Sequence, residues 1–195
     1  MFSTDTQLAA EHQRMLLKLA RDSIREGIEN GRTGAVDPLQ WPEELQRHGA
    51  SFVTLKRRDG SLRGCIGTLE ARQPLVADVA EHAYAAAFRD PRFPPLTAQE
   101  LDAVTVELSI LSIPEPLAVT SEAELLATVQ PGEDGLILEE RGHRGTFLPS
   151  VWESLPEPRD FVRELKGKAG LPADYWSPTL TVKRYRTQCF SEHED

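Results

Sequence analysis

Residues 49–69 read GASFVTLKRRDGSLRGCIGTL, two β-like runs on either side of Asp59-Gly60. Asp-Gly between alternating runs signals a hairpin, because Gly accepts positive φ and Asp tolerates it. The second run, Leu62 to Leu69, carries the most unusual composition in the chain, with Arg63, Gly64, Cys65, Ile66 and Gly67 in succession. Strand side chains alternate between faces. Leu62, Gly64 and Ile66 are therefore expected on one face, and Arg63, Cys65 and Gly67 on the other. A thiol then lies one strand repeat from a guanidinium. Gly64 and Gly67 weaken a strand, so they mark a bulge or a close approach by another group. Two readings stand open. One is a plain hairpin with a half-buried cysteine, since free Cys packs as a small hydrophobe. The other is a site built on the thiol.

Working outward, the segment before the hairpin predicts a helix over 6–30. Leu16, Leu17, Ala20, Ile24 and Ile28 recur at three- and four-residue steps, one buried stripe. Asn30-Gly31 stops it. A connector over 32–39 leads to Trp41-Pro42 and a short helical pattern over 43–47; Trp41 reads as a loop anchor on the core. After the hairpin, Gln73 to Asp90 reads as a helix begun by Pro74, with Leu75, Val79, Ala83 and Ala86 on its apolar face. His82 at the edge of that face reads as a hydrogen-bonded structural residue. No second His or Cys lies at ligand spacing on that helix, so no metal is expected there.

Asp90-Pro91-Arg92-Phe93-Pro94-Pro95 is a stiff loop, its three prolines reducing the freedom lost on folding. Asp90 and Arg92 either brace each other or present a site. Thr97 and Glu100 form a capping box. Residues 103–113 are the clearest strand, with Val104, Val106, Leu108 and Ile110 on one face and Glu107 on the other. A carboxylate in mid-strand needs water or a partner. Arg63 is the expected partner if the strands pair; a solvent-facing Glu is the alternative. Pro114-Glu115-Pro116 is expected to end pairing.

Ser121 and Glu124 cap a helix through Thr128. A second hairpin is expected around Arg141-Gly142-His143-Arg144, followed by helical patterns over 149–155 and 159–168. A hairpin followed by a helix thus occurs twice, a hint of internal duplication. Residues 178–190 read as one closing strand, with Cys189 near its end. The final Ser-Glu-His-Glu-Asp, 191–195, is an acidic tail expected to be disordered.

With 195 residues, 39% apolar and 27% charged, the chain reads as a soluble globular domain or two small lobes. Its net charge of −9 argues against binding nucleic acid by phosphate neutralisation. Two distant cysteines make no disulfide framework. MFSTDTQLAAEHQ has no basic region followed by an apolar one, and no apolar stretch is long enough for a membrane span. A cytoplasmic setting follows by elimination. No P-loop, dinucleotide glycine motif, paired CxxC or HExxH is present, and no GxSxG elbow; nucleotide, zinc and serine-hydrolase readings have no support, and the cofactor is unknown. What remains is Cys65. A thiolate is the reactive form, and a neighbouring cation favours it. Arg63 is the expected cation. Glu107 would orient Arg63 or act as a base, although a carboxylate beside the thiol opposes thiolate formation.

Leu62 to Gly67 resembles the hallmark hexapeptide of the AMMECR-type domain family, known also as protein A of the AmmeMemoRadiSam group. Phe88 to Leu96, Glu107 to Ser112, Asp134 to Leu136, Phe147 to Pro149 and Lys168 to Leu171 are similar to further family blocks, in family order, over roughly positions 10–187. The resemblance implies an α+β fold with antiparallel sheets flanked by helices, in one domain over 1–190 made of two unequal subdomains. The larger subdomain would hold both termini, and the hexapeptide would point into a wide cleft between the two. That implies a large substrate or a protein ligand. The expected catalytic residues are Cys65, Arg63 and Glu107, and the expected substrate-binding residues are Gly64, Ile66, Gly67, Asp90 and Arg92. The family's genomic association implies Memo-like and radical-SAM partner proteins, and a non-catalytic scaffold that docks onto them is the competing expectation.

Overall fold

The computed structural model describes residues 7–192. The chain forms two compact units, the first running to Ser112 and resuming at Gln188, the second spanning Ile113 to Thr187.

In the first unit β1 (His48–Arg57) and β2 (Leu62–Gly67) form the expected hairpin. Gly60 turns it at φ 80°, a conformation that costs a residue without a Cβ little. The Gly60 N–H donates to Arg57 O at 2.9 Å, and the Arg57 N–H donates to Ser61 O at 2.8 Å. β3 (Gln73–Pro74) pairs with the start of β1. β4 (Val104–Leu111) pairs antiparallel along the other side of β1. Beyond it lies β9 (Thr187–Ser191), giving the order β2-β1-β4-β9. Helices α1 (Ala10–Asn30) and α3 (Leu75–Phe88) belong to the core on one side of this sheet, where Ala20, Ile24, Val53, Leu55, Val79 and Leu108 are buried together. Short helices α2 (Glu43–Gln46) and α4 (Ala98–Leu101) complete the unit. Trp41 packs partly buried against that core, as its anchor reading requires.

In the second unit β5 (Glu115–Pro116), β6 (Gly135–Glu140), β7 (His143–Phe147) and β8 (Thr181–Tyr185) form a sheet of order β5-β8-β6-β7. Arg141 at φ 44° and Gly142 at φ 90° make the β6–β7 turn, both in the left-handed region that a two-residue hairpin loop needs. Helices α5 (Glu122–Thr128) and α6 (Pro158–Lys168) flank the sheet, and Trp152 stacks on Phe161 of α6 with ring centroids 3.7 Å apart. The chain is α+β with antiparallel sheets and flanking helices, as the resemblance implies. A hairpin followed by helical turns recurs in each unit.

Several expected boundaries are corrected. α1 begins at Ala10; Thr6 lies outside the described residues. Gln73-Pro74 is a strand, and α3 starts after it. Pro149–Glu153 is a 3-10 turn. Glu115–Pro116 pairs with β8 rather than ending pairing, which a proline tolerates because β5 is an edge. The expected closing strand is two strands, β8 and β9, in different sheets. Alternation marks a strand but carries no information about its neighbour. Between them Arg186 donates to Gln130 and Asp134. Of the expected acidic tail, Ser191 lies in β9, and Glu192 accepts from Arg21 Nε and from the Val106 N–H, each at 2.8 Å. Residues 193–195 lie outside the described residues.

Candidate functional site

The hairpin register decides where the hexapeptide side chains go. Thr54 faces Cys65, Leu55 faces Gly64, and Lys56 faces Leu62, so Arg63 has no partner on β1. It is the extra residue of a β-bulge, which re-aims a side chain and breaks alternation. The expectation that Arg63 shares a face with Cys65 fails for this reason. Its guanidinium is 1% exposed. It donates from Nε to Glu100 Oε1 at 2.8 Å, and from Nη2 to Glu100 Oε2 at 3.1 Å and Pro94 O at 3.0 Å. Arg63 in turn lowers the Glu100 pKa to about 2, helped by donors from Thr97.

Gly64 explains itself by a close approach. A Cβ there would lie 2.2 Å from the Ala86 carbonyl oxygen of α3. Ile66 is half-buried against the core of the first unit. Gly67 lies beneath the Phe52 ring, which a Cβ would meet at 2.4 Å.

Cys65 is half-buried and free. The Thr54 hydroxyl donates to its sulfur at 3.3 Å. Both main-chain groups of Cys65 are held from the stiff loop. Its N–H donates to Asp90 Oδ2 at 2.9 Å, and its carbonyl accepts from Arg92 Nη2 at 3.2 Å. Asp90 and Arg92 also hold each other, with Arg92 Nε at 2.9 Å from Oδ1 and Nη2 at 2.7 Å from Oδ2. The Arg92 hydrogen bond, with the N–H groups of Cys65 and Arg92, keeps the Asp90 carboxyl well below the usual carboxylate range. Arg92 is pushed up, mainly by its hydrogen bond to Asp90. The guanidinium within electrostatic reach of the thiol is therefore Arg92, whose side chain is 53% exposed.

Glu107 does not meet Arg63, because β1 runs between β2 and β4. Glu107 faces Thr54 in the register and accepts from Lys56 Nζ at 2.6 Å. Cys65, Thr54 and Glu107 thus occupy one row across β2, β1 and β4. Cys189 is exposed on β9, with its sulfur 3.2 Å from the Ser109 hydroxyl. His82 lies 3.1 Å from Asp78 Oδ2, which also accepts from the buried Ser51 hydroxyl at 2.6 Å; it is hydrogen-bonded, as expected. A recess of about 310 Å³, bounded by Arg57, Arg58, Asp59, Glu100, Ala103 and Val104, opens beside the Arg63–Glu100 pair.

Sequence reasoning missed two participants. Thr54 was not legible from the Asp59-Gly60 turn, whose unbroken register sets it opposite Gly64; the bulge at Arg63 moves it opposite Cys65. Glu100 was read only as a helix cap, and its second task needs the bulge. Among the described residues no group of three or more His, Cys, Asp and Glu could hold a metal ion. No helix among them is long and apolar enough to cross a membrane.

The fold and its edge-strand cysteine define an α+β protein with the LRGCIG hexapeptide at the end of a five-stranded sheet. The chain belongs to the AMMECR1 family, whose profile matches residues 17–190. It is 40% identical to a protein of Methanothermobacter thermautotrophicus over 96% of this chain and 97% of that one. It is 38% identical to protein MJ0810 of Methanocaldococcus jannaschii over 86% and 85% of the two chains. The crystal structure of the uncharacterized protein PH0010 from Pyrococcus horikoshii superposes with a TM-score of 0.81 at 34% identity, covering 95% of this chain and 94% of that one.

Proposed function

We propose that the Leu62–Gly67 segment is the working site of this AMMECR1-family protein and that Cys65 is its reacting group. Arg92 supplies the adjacent cation, and Thr54 donates to the sulfur. Arg63 and Glu107, first candidates for direct chemistry, act instead through Glu100 and Lys56 as positioning residues. The substrate class is a large molecule that reaches the half-open Cys65. The setting is the cytoplasm, whose reducing conditions keep Cys65 and Cys189 as thiols.

The observation that carries this reading is the restraint on Cys65. Its N–H, its carbonyl and its sulfur are each hydrogen-bonded, by Asp90, Arg92 and Thr54, while the residue stays half-open. A reacting group needs such fixed geometry. The test is iodoacetamide labelling of Cys65 and Cys189 across pH. Cys65 reacting faster than Cys189 at neutral pH supports the proposal; Cys65 reacting at the same rate or more slowly defeats it.

A second reading is a scaffold that docks Memo-like or radical-SAM proteins. It is favoured by the pairing of the charged groups around the thiol: Arg63 with Glu100, Asp90 with Arg92, and Lys56 with Glu107. Among the described residues no histidine is hydrogen-bonded to the Cys65 sulfur, the usual position of the base for a cysteine nucleophile. Under this reading Cys65→Ser binds its partner and functions as the unaltered chain does. Loss of function with folding and partner binding intact returns the choice to catalysis.

A further inference from the structure

An edge strand offers a row of unpaired N–H and C=O groups to any other chain. β2 is such an edge, since it ends the order β2-β1-β4-β9. Along an antiparallel strand, alternate residues turn both main-chain groups away from the neighbour they already have. Cys65 is one of these. Its N–H meets the Asp90 carboxylate at 2.9 Å, and its carbonyl meets the Arg92 guanidinium at 3.2 Å. An acceptor and a donor therefore stand where the C=O and N–H of a further strand would stand. The pair holds itself together through three hydrogen bonds, Arg92 N, Nε and Nη2 to Asp90, on a loop stiffened by prolines. Asp90 is only 4% exposed, so the cap is built into the fold.

We propose that the Asp90–Arg92 pair is an edge cap, and that what it keeps out is the β2 strand of a second copy of this chain. The second copy follows from the geometry of the edge. An antiparallel pair centred on Cys65 is self-complementary, because each Cys65 would give its N–H to the other and accept at its own carbonyl. Gly64 adds no side chain on one side of that centre, and Ile66 on the other is turned against the core of the first unit. Leu62 adds an apolar group that is 36% exposed beside it. In such a hydrogen-bonded pair the two Cys65 Cα atoms come about 5.5 Å apart. That lies inside the roughly 4.4–6.8 Å span a disulfide requires, so the register of the pairing can be read chemically.

The test compares the full chain with Asp90→Ala/Arg92→Ala by sedimentation and by treatment with diamide. Diamide takes two electrons and two protons from a pair of thiols, which join as a disulfide while it becomes the hydrazine. The unaltered chain sediments as a monomer. The double variant self-associates, and its Cys65–Cys65 linked dimer rises about tenfold, because both edge groups lose their charge-assisted partners. The linked dimer persists in Cys189→Ser and vanishes in Cys65→Ser. Adding Leu62→Lys returns the monomer, since an edge lysine blocks strand pairing. Circular dichroism checks folding. If the double variant does not fold, Arg92→Ala alone frees the carbonyl and gives the same Cys65-linked dimer in lower yield. The proposal is overturned if the unaltered chain links through Cys65 as readily as the double variant. It is equally overturned if a folded capless variant sediments as a monomer and yields no such dimer.

Discussion

Glu100 grips Arg63 with both carboxylate oxygens, Oε1 at 2.8 Å from Nε and Oε2 at 3.1 Å from Nη2. The same carboxylate accepts the Thr97 N–H at 3.0 Å and so closes the capping box of α4. One side chain thus caps a helix and neutralises a buried cation. Its ionised form is bound to the fold, with its pKa lowered to about 2 from 4.5.

Glu100→Gln keeps a capping oxygen and removes the charge. Arg63 is then a buried cation without its counter-ion. The expected loss is about 2–3 kcal/mol, below the roughly 3–5 for a fully buried pair because Glu100 is itself partly exposed. A urea midpoint shifted at constant slope measures it; an unshifted midpoint contradicts it. The pH dependence follows with a definite sign. The folded pKa lies below the unfolded one, so the unfolded chain binds more protons as the solution acidifies. The contribution is complete above pH 4.5 and is lost as pH falls toward 2. Asp90 adds an effect of the same sign, its pKa also being lowered. Glu100→Gln therefore has a shallower acid limb than the unaltered chain.

Gly64→Ala and Gly167→Ala have opposite signs. A Cβ at Gly64 runs into the main chain of α3, 2.2 Å from Ala86 O, whereas at Gly167 in α6 nothing lies within 4 Å. The first change is expected to destabilise by about 3 kcal/mol through overpacking. The second is expected to stabilise by about 0.5–1 kcal/mol through helix propensity and a less free unfolded chain. Thermal unfolding of the two variants decides both signs.

Tyr185 sets an alkaline limb. Burial pushes its phenol up to about 12, and the hydroxyl donates to Phe147 O at 2.9 Å. The raised pKa means that stability is whole below the unfolded value of 10 and declines as pH rises toward 12. Tyr185→Phe removes that contribution to the decline and costs about 1 kcal/mol at neutral pH for the lost hydrogen bond. Phenolate absorbance during alkaline titration, with parallel unfolding curves, checks both.

Arg92→Ala withdraws the cation within reach of Cys65. Iodoacetamide labelling of Cys65 at neutral pH is expected to slow about threefold, a modest factor because solvent screens a half-exposed guanidinium. Labelling of Cys189 stays unchanged and serves as the internal control. A faster Cys65 in the variant means that Arg92 acts by shielding the thiol instead of favouring its anion.

The hairpin at Asp59-Gly60, the valine-rich strand ending near Leu111, the caps at Thr97 and Ser121 and the β6–β7 turn all rest on local chemistry. Each is written in adjacent residues, and each stands in the structure. The family blocks, spread over most of the chain, were legible for the same reason, because they are strings of side chains. Arg63 was misread because alternation assumes an unbroken ladder. A bulge shows only when the partner strand supplies the register, and Gly64 gave no more than a hint of it.

By itself, then, the sequence determined which segments turn, which alternate, that Thr97 and Ser121 cap helices, and that a cysteine lies among glycines on a strand. Tertiary structure alone decided the partners. It gave Arg63 to Glu100, Glu107 to Lys56, and the main chain of Cys65 to Asp90 and Arg92. It also sent β8 and β9 to different sheets. The physical reason is range: turns and caps are settled within about four residues of chain, whereas the pairing of a buried charge depends on which distant oxygen packing brings to it.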